Sequence, residues 1–259
     1  MTTRLVSLKI AAIFLVVLFV AGAAFAADST APATQPAGAK VLILTGMEHP
    51  AHRWQLTSPL LAKTIGQDPR LHVTICKDPA FLASPKLFDY DTIVLNYMNW
   101  KCPDPGDAAR ANLQKFVSDG RGLVLVHFAC GAFQEWPEFK DIAGRVWDPK
   151  RRGHDPRGPF HVDIVSGDHP ITRGMTGFEA DDELYTCLTG DHIIEVLAEA
   201  RSSVDGQVYP MAFVNRYGEG RVFECTLGHD TRALCIPEVG ELYRRAAAWT
   251  AGLEATARK

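Results

Sequence analysis

The sequence lacks a C-x-x-C pair. Six cysteines are spread over 259 residues, at Cys76, Cys102, Cys130, Cys187, Cys225 and Cys235. That spacing removes zinc-ribbon and thioredoxin-like readings, and no disulfide pairing follows from it. Cys76 and Cys225 sit within or beside apolar strand patterns, where cysteine packs as a small hydrophobe. A basic excess is also missing, since the formal net charge is -3 with its charges scattered. Nucleic acid is therefore not an expected partner. No cysteine follows the N-terminal apolar run, which argues against a lipoprotein.

The N-terminal run itself is present: Arg4 and Lys9, then apolar residues from Ile10 to Val20, then A-G-A-A-F-A-A. A positive region, an apolar region and an A-x-A-like site make residues 1–26 a signal peptide cut after Ala26, and export is the consequence. After cleavage no stable membrane insertion is expected. A retained anchor is the competing reading, because Ile10 to Ala26 approaches spanning length. Residues 27–38 (A-D-S-T-A-P-A-T-Q-P-A-G) are small, polar and proline-bearing, and form a linker. Residues 39–253 are long enough for one α/β domain with a sizeable core, and residues 254–259 form a short tail.

Within that domain the central stretch is Gly120 to Phe133, G-R-G-L-V-L-V-H-F-A-C-G-A-F. A continuous apolar run suits a strand buried on both faces of a parallel sheet. His127, at its end, points to the carboxyl edge of the sheet, where open α/β proteins bind ligands. The competing reading is a core histidine satisfied by a neighbour.

Further strands are expected at Lys40–Thr45, Leu71–Ile75, Asp91–Asn96, Phe160–Val165, Ile193–Ala198, Tyr209–Asn215 and Arg221–Leu227. One helix follows Trp54, with Leu56, Leu60, Leu61 and Ile65 at helical spacing. A second runs from Asp107 to Ser118, with Ala111, Leu113, Phe116 and Val117 inward and Gly120 as its stop, and a third from Val239 to Ala251. The segment Asp78 to Tyr90 reads as a short helix and a turn. Strand and helix alternate from the start, which argues for parallel βαβ units with right-handed crossovers.

Several strand exits carry chemistry. The first delivers His49, His52 and Trp54; H-x-x-H alone is a weak metal pattern, and a polar loop is the alternative. The third strand exits through Tyr97-Met98-Asn99-Trp100, an aromatic and amide-rich run that suits a sugar, or a loop that covers the core. The stretch Asp148 to Pro159, with Arg152, His154 and Arg157, reads as a mobile loop, either a lid over an acidic or hydroxylated ligand or a solvated surface. Asp181, Asp182 and Glu183 precede Leu184 and Tyr185. Adjacent carboxylates stay in water, are held by a cation, or have one pKa raised for acid–base work. The last strand exits at Gly228-His229-Asp230, repeating the logic of His127.

Taken in order, G-x-x-H-P-x-H, G-L-V-L-V-H-F-A, W-x-x-x-x-x-G-H, D-H-P-I-T-x-G, D-E-L-Y and G-E-G-R-V-F-E-C-T-L-G-H-D resemble the ThuA-like (trehalose-utilisation) family, from about Lys40 to Gly252. The resemblance implies a fold similar to class I glutamine amidotransferases, a flavodoxin-like open parallel sheet with helices on both faces. Those relatives place a cysteine nucleophile after the central strand. Here that position is His127, with Cys130 three residues on, and imidazole cannot replace a thiolate in forming a thioester. A carbohydrate role is implied instead, with trehalose-type or keto glycosides as substrates.

Three functions compete. In the first, an exported enzyme cleaves or isomerises a glycoside or keto-sugar derivative. His127, His229, Glu183 and Asp182 carry catalysis, and His52, His127 and His229 hold a divalent metal, zinc foremost. Trp54, Trp100, Asn99, His154 and Asp230 then contact a small carbohydrate ligand. In the second, a non-catalytic sugar-binding or scaffold domain has lost the amidotransferase nucleophile. A cysteine hydrolase using Cys130 is a third reading. The oligomeric state stays open.

Overall fold

The computed structural model describes residues 38–256; the expected signal peptide, all but the last residue of the expected linker and the end of the tail lie outside the described residues. Nine strands form one sheet in the order β2-β1-β3-β4-β9-β8-β7-β5-β6. Its first half comprises β1 (Ala39–Leu44), β2 (Leu71–Cys76), β3 (Thr92–Leu95), β4 (Gly122–Val126) and β9 (Gly220–Cys225), all parallel. Its second half, β8 (Val208–Tyr217), β7 (Glu195–Arg201), β5 (Gly158–Ile164) and β6 (Phe178–Asp182), is antiparallel.

The expectation of a wholly parallel sheet is corrected here. A parallel neighbour needs a crossover of a dozen residues or so, whereas β8 reaches β9 through the turn at Gly218 and Glu219. A turn that short permits only an antiparallel hairpin. Strand β6 lies within the carboxylate segment, whose alternating burial ends inward on Asp182. An acidic third inward residue hid the period-2 pattern of a strand.

In the parallel half, alternate side chains feed two cores. Val41, Ile43, Val94 and Val124 pack with α1 (Trp54–Ile65) and α5 (Pro237–Thr250). Leu42, Leu44, Ile93, Leu95 and Leu125 pack with α2 (Asp107–Ser118) and α3 (Glu138–Ala143). Helices thus cover both faces of this half. Two helical positions differ from expectation: Leu56 is 48% exposed because α1 buries Thr57, Ser58, Leu61 and Ile65, and in α2 Ala109 rather than Ala111 faces inward. Residues 79–89 form two short 3₁₀ segments, each with proline in its first turn and a capping Asp78 or Ser84. All six cysteines are free thiols. Among the described residues no helix is long and apolar enough to cross a membrane.

Buried ion pairs tie the domain's end to its body. Asp68, 3% exposed, accepts from Arg70 at 2.6 Å, and Arg244 lies 3.8 Å away. The hydrogen bond from Arg70 holds the Asp68 carboxyl below its ordinary 3.8. Glu241 is lowered as well: burial pushes it up, but hydrogen bonds from Arg244 and Arg245 outweigh that. A carboxylate depressed in the folded state contributes stability above its unfolded pKa, and that contribution disappears as pH falls through the folded value. Thermal melts should therefore show stability falling steeply from about pH 5 downward, with a shallower fall in Asp68→Asn. Equal slopes for the two proteins would remove Asp68 from the account.

Candidate functional site

Three strand exits build the site. The loop after β1 turns at Gly46, with φ of 116°, where a Cβ would sit 1.9 Å from the Lys77 carbonyl oxygen. Only glycine fits there, and the turn leads the loop on to His49 and His52. After β4 the chain bends at His127 itself, which takes φ of 49° although it is not glycine. Such strain persists where surrounding structure over-determines it, and here it forms a sharp elbow at the end of the central strand. After β9, Gly228 at φ of 117° leads into His229.

The three imidazoles converge. Ring centroids of His52 lie 5.1 Å from His127 and 5.0 Å from His229, and His127 lies 5.2 Å from His229. One nitrogen from each falls within 4.8 Å of the others. His49 adds a fourth ring, stacked on His52 at 4.8 Å. The rings sit over Phe128, and Tyr185 packs against His127 at 4.9 Å.

The tautomer of His127 follows from its partner. Its Nδ1 lies 2.6 Å from the Thr226 carbonyl oxygen, which can only accept, so Nδ1 carries the proton and Nε2 presents a lone pair. That lone pair lies 3.3 Å from His229 Nδ1 and 3.5 Å from Glu183 Oε2. His229 Nδ1 is 3.1 Å from the same carboxylate oxygen, so its single proton is best spent on Glu183. The Nδ1 atom of His52 is buried with no hydrogen-bond partner. A lone pair, a carboxylate and an unpartnered imidazole nitrogen thus share one small space. A cation relieves that crowding of acceptors.

The titration properties agree. Burial, reinforced by the neighbouring histidines and opposed by Glu183, pushes His52 down to about 2, leaving it a neutral ligand. Burial pushes Glu183 up, but its interactions with His127 and His229 win and hold it low. The Glu183 hydrogen bond raises His229 against the cost of its burial. For a metal at about 2.0–2.1 Å from each nitrogen, tetrahedral ligands stand roughly 3.4 Å apart. His127 Nε2 and His229 Nδ1 already have that spacing, at 3.3 Å, and an ion bound there would take the place of the proton on His229 Nδ1. His127 also has the carbonyl partner on its other nitrogen that orients metal-binding imidazoles.

The remaining sequence candidates occupy defined places. Asp182 is fully buried, and its carboxylate accepts from the backbone N–H of Gly228 at 2.6 Å, His229 at 3.3 Å and Glu183 at 2.9 Å. It touches no open space, so its work is positioning. Asp230 caps the short helix α4 (Thr231–Leu234) through Arg232 and Ala233 N–H groups, and accepts from Arg157 at 2.8 Å. Burial pushes its carboxyl up, yet Arg157 and the capping bonds bring it down to about 2. Asn99 is also committed, since its Oδ1 accepts from Phe133 N–H at 2.7 Å.

His154 stacks on Tyr185 at 5.6 Å, and its Nε2 is 3.8 Å from Glu183 Oε1. Trp54 lines the cavity beside the histidines and donates from Nε1 to Glu48 at 3.1 Å. Trp100 meets Trp147 edge-on at 4.9 Å and carries the Lys101 ammonium over its ring at 4.2 Å. The basic stretch expected to be a mobile loop is tied down by Arg152–Asp205 at 2.7 Å, Arg157–Asp230 at 2.8 Å and a bridge between His154 and Tyr185. Cys130 is fully buried and burial pushes its thiol well up, so it presents no thiolate.

Sequence reasoning missed Tyr185, Phe128 and the Thr226 carbonyl as parts of the site. Tyr185 sits in D-E-L-Y and had a signal; a backbone acceptor leaves none. The cavity among the rings is about 30 Å³, room for an ion and a water or two but not a sugar ring.

Comparison with known proteins follows the geometry. The ThuA family, described as trehalose utilisation, matches residues 40–250. A ThuA-like protein of known structure from Parabacteroides merdae has 23% identity and a TM-score of 0.75, covering 85% of this chain and 93% of its own. One from Bacteroides uniformis has 20% identity and a TM-score of 0.65, covering 83% and 93%. A β-galactosidase from Rahnella sp. R3 shares the fold at 16% identity and a TM-score of 0.58, over 83% of this chain but 32% of its own. A search among curated proteins finds no match to this chain.

Loss of the Asp182 acceptor leaves buried N–H groups unpaired. Asp182→Ala should cost about 1–3 kcal/mol in urea unfolding and shift the His229 imidazole signals in NMR spectra. Full stability with unshifted His229 signals would contradict the positioning role.

Proposed function

The chain belongs to the ThuA family, and from that membership we propose that it is an exported enzyme that cleaves or isomerises a glycoside or keto-sugar derivative at the His52–His127–His229 cluster. The observation that carries this reading is the convergence of three imidazole nitrogens within 4.8 Å beside the Glu183 carboxylate. His52, His127 and His229 would hold a divalent ion, zinc by donor chemistry, with a position left open as in catalytic sites. When bound, such an ion polarises a substrate carbonyl as a Lewis acid.

The chain's own groups divide the proton work. Glu183 is the base, since it is held as a carboxylate within reach of the cluster. On a keto-glycoside it takes the C–H proton between the carbonyl and the glycosidic carbon. The electron pair forms a C=C bond as the C–O bond to the leaving sugar breaks, and the proton taken by Glu183 passes to the departing oxygen. His127 supplies a fixed lone pair and is held in place by Thr226. The burial of Cys130 speaks against thiol chemistry in this role.

Elemental analysis of the purified protein should find about one divalent ion per chain, and His52→Ala should lose it. In a screen of glycosides and their keto forms, Glu183→Gln should keep the metal while turnover drops by roughly 10²–10⁴-fold. A metal-free protein whose Glu183→Gln variant turns over like wild type would end this reading, and glycan binding without any turnover would favour the sugar-binding domain instead. Export has its own check. N-terminal sequencing of the secreted chain should begin at Ala27, and a retained Met1 would favour the anchor.

A further inference from the structure

The cavity among the histidines, about 30 Å³, encloses no more than the reacting edge of a sugar, so the rest of a larger substrate must lie elsewhere. A second cavity, about 300 Å³, opens on the same carboxyl edge, between the loop after β3 and the turn after β4. Its volume reaches the lower bound of small-ligand pockets, roughly 300–1,000 Å³. Trp100, Lys101, Asp104, Arg110, Gln134 and Glu135 line it. Buried Phe128 stands between the two spaces, 6.3 Å from the Trp100 ring on one side and 5.1 Å from His52 on the other, so the cavities are neighbours on one edge.

Resting on the function proposed above, we infer that this cavity is the sugar-binding subsite of the histidine centre, and that it takes a neutral hexose unit of a substrate with at least two rings. The lining sets the class. Two cations, Lys101 and Arg110, are balanced by two carboxylates, Asp104 and Glu135, and the amide of Gln134 offers both a donor and an acceptor. A polyhydroxylated ring satisfies such a mixed wall, whereas a uronate or phosphate would meet the carboxylates. Lys101 sits at φ of 60°, a conformation side-chain-bearing residues rarely hold, and from it covers the Trp100 ring. Backbone strain of this kind gathers at ligand sites. The ammonium is exposed, so a sugar can displace it from the indole face.

The test uses the secreted chain as purified, titrated with trehalose, maltose and glucuronate while the indole N–H signals are followed by NMR. Trehalose or maltose should shift the Trp100 signal, and Gln134→Ala and Trp100→Leu should each weaken that binding by about tenfold or more with metal content unchanged. Gln134→Ala guards against Trp100→Leu failing through lost packing on Trp147. No binding of either disaccharide, affinities unchanged in both variants, or tighter binding of glucuronate would each overturn the subsite. The two readings fail separately. A metal-free, inactive chain that still binds trehalose at Trp100 removes the catalysis and leaves the subsite, whereas turnover with binding insensitive to both substitutions does the reverse.

Discussion

The hydrogen bond from His127 Nδ1 to the Thr226 carbonyl, at 2.6 Å, is the contact on which the site depends. It fixes one tautomer, and so leaves on Nε2 a lone pair facing the space shared with His229 and Glu183. It also links the exits of β4 and β9, neighbouring parallel strands whose register pairs Val126 with Cys225. Sheet hydrogen bonding therefore sets the separation of His127 and His229 before any ligand arrives. Preorganisation of that sort lets two imidazoles stand 3.3 Å apart without help from their own side-chain packing.

Glu183 reaches the same point by a longer route. It follows β6, the far edge of the sheet, four places from β9. At about 4.8 Å per strand a flat sheet would leave it roughly 19 Å away. Yet Asp182 touches the backbone of Gly228 at 2.6 Å, so the antiparallel half curls back over the carboxyl edge of the parallel half. Register shifts between β7 and β8 around Val196, Ala198 and Glu199 supply local bending. Arg157 reinforces the closure by bonding Asp230 and the Asp181 carbonyl, one on each side of the seam. Buried Asp182 is thus the latch that brings a base to histidines fixed elsewhere.

Legibility in the sequence divides along that seam. The parallel half was readable because its strands are continuous apolar runs with helical spacing between them, and histidines at the ends of β4 and β9 had to emerge at one edge. His52 was less certain, since H-x-x-H has no meaning until Gly46 turns the loop toward His127. The antiparallel half was only partly readable: its strands could be found, but their direction depends on turn length and their curl on bulges. Asp182 is one of three adjacent carboxylates that look alike in sequence until burial separates them, and here it is the buried one. Asp230 likewise caps a helix, a role that a sequence cannot distinguish from a ligand contact, and Asn99 bonds a turn through Oδ1 while lining the cavity beside Trp100.

The elbow at His127 explains how one scaffold can trade chemistries. A left-handed residue at the end of a central strand lifts its side chain out of the sheet and above the edge, whatever that side chain is. With a thiolate there, the elbow offers a nucleophile; with imidazole, it offers a lone pair that forms no thioester but accepts a proton or a metal. The neighbours match the second case. His52 is kept neutral by burial, Glu183 is kept charged by its histidines, and Cys130, three residues past the elbow, is sealed in the core. Each shift follows from packing around a bond to a backbone carbonyl. Replacing His127 with cysteine alone would therefore place a thiol among groups arranged to gather a cation, and would not make a thiolate site.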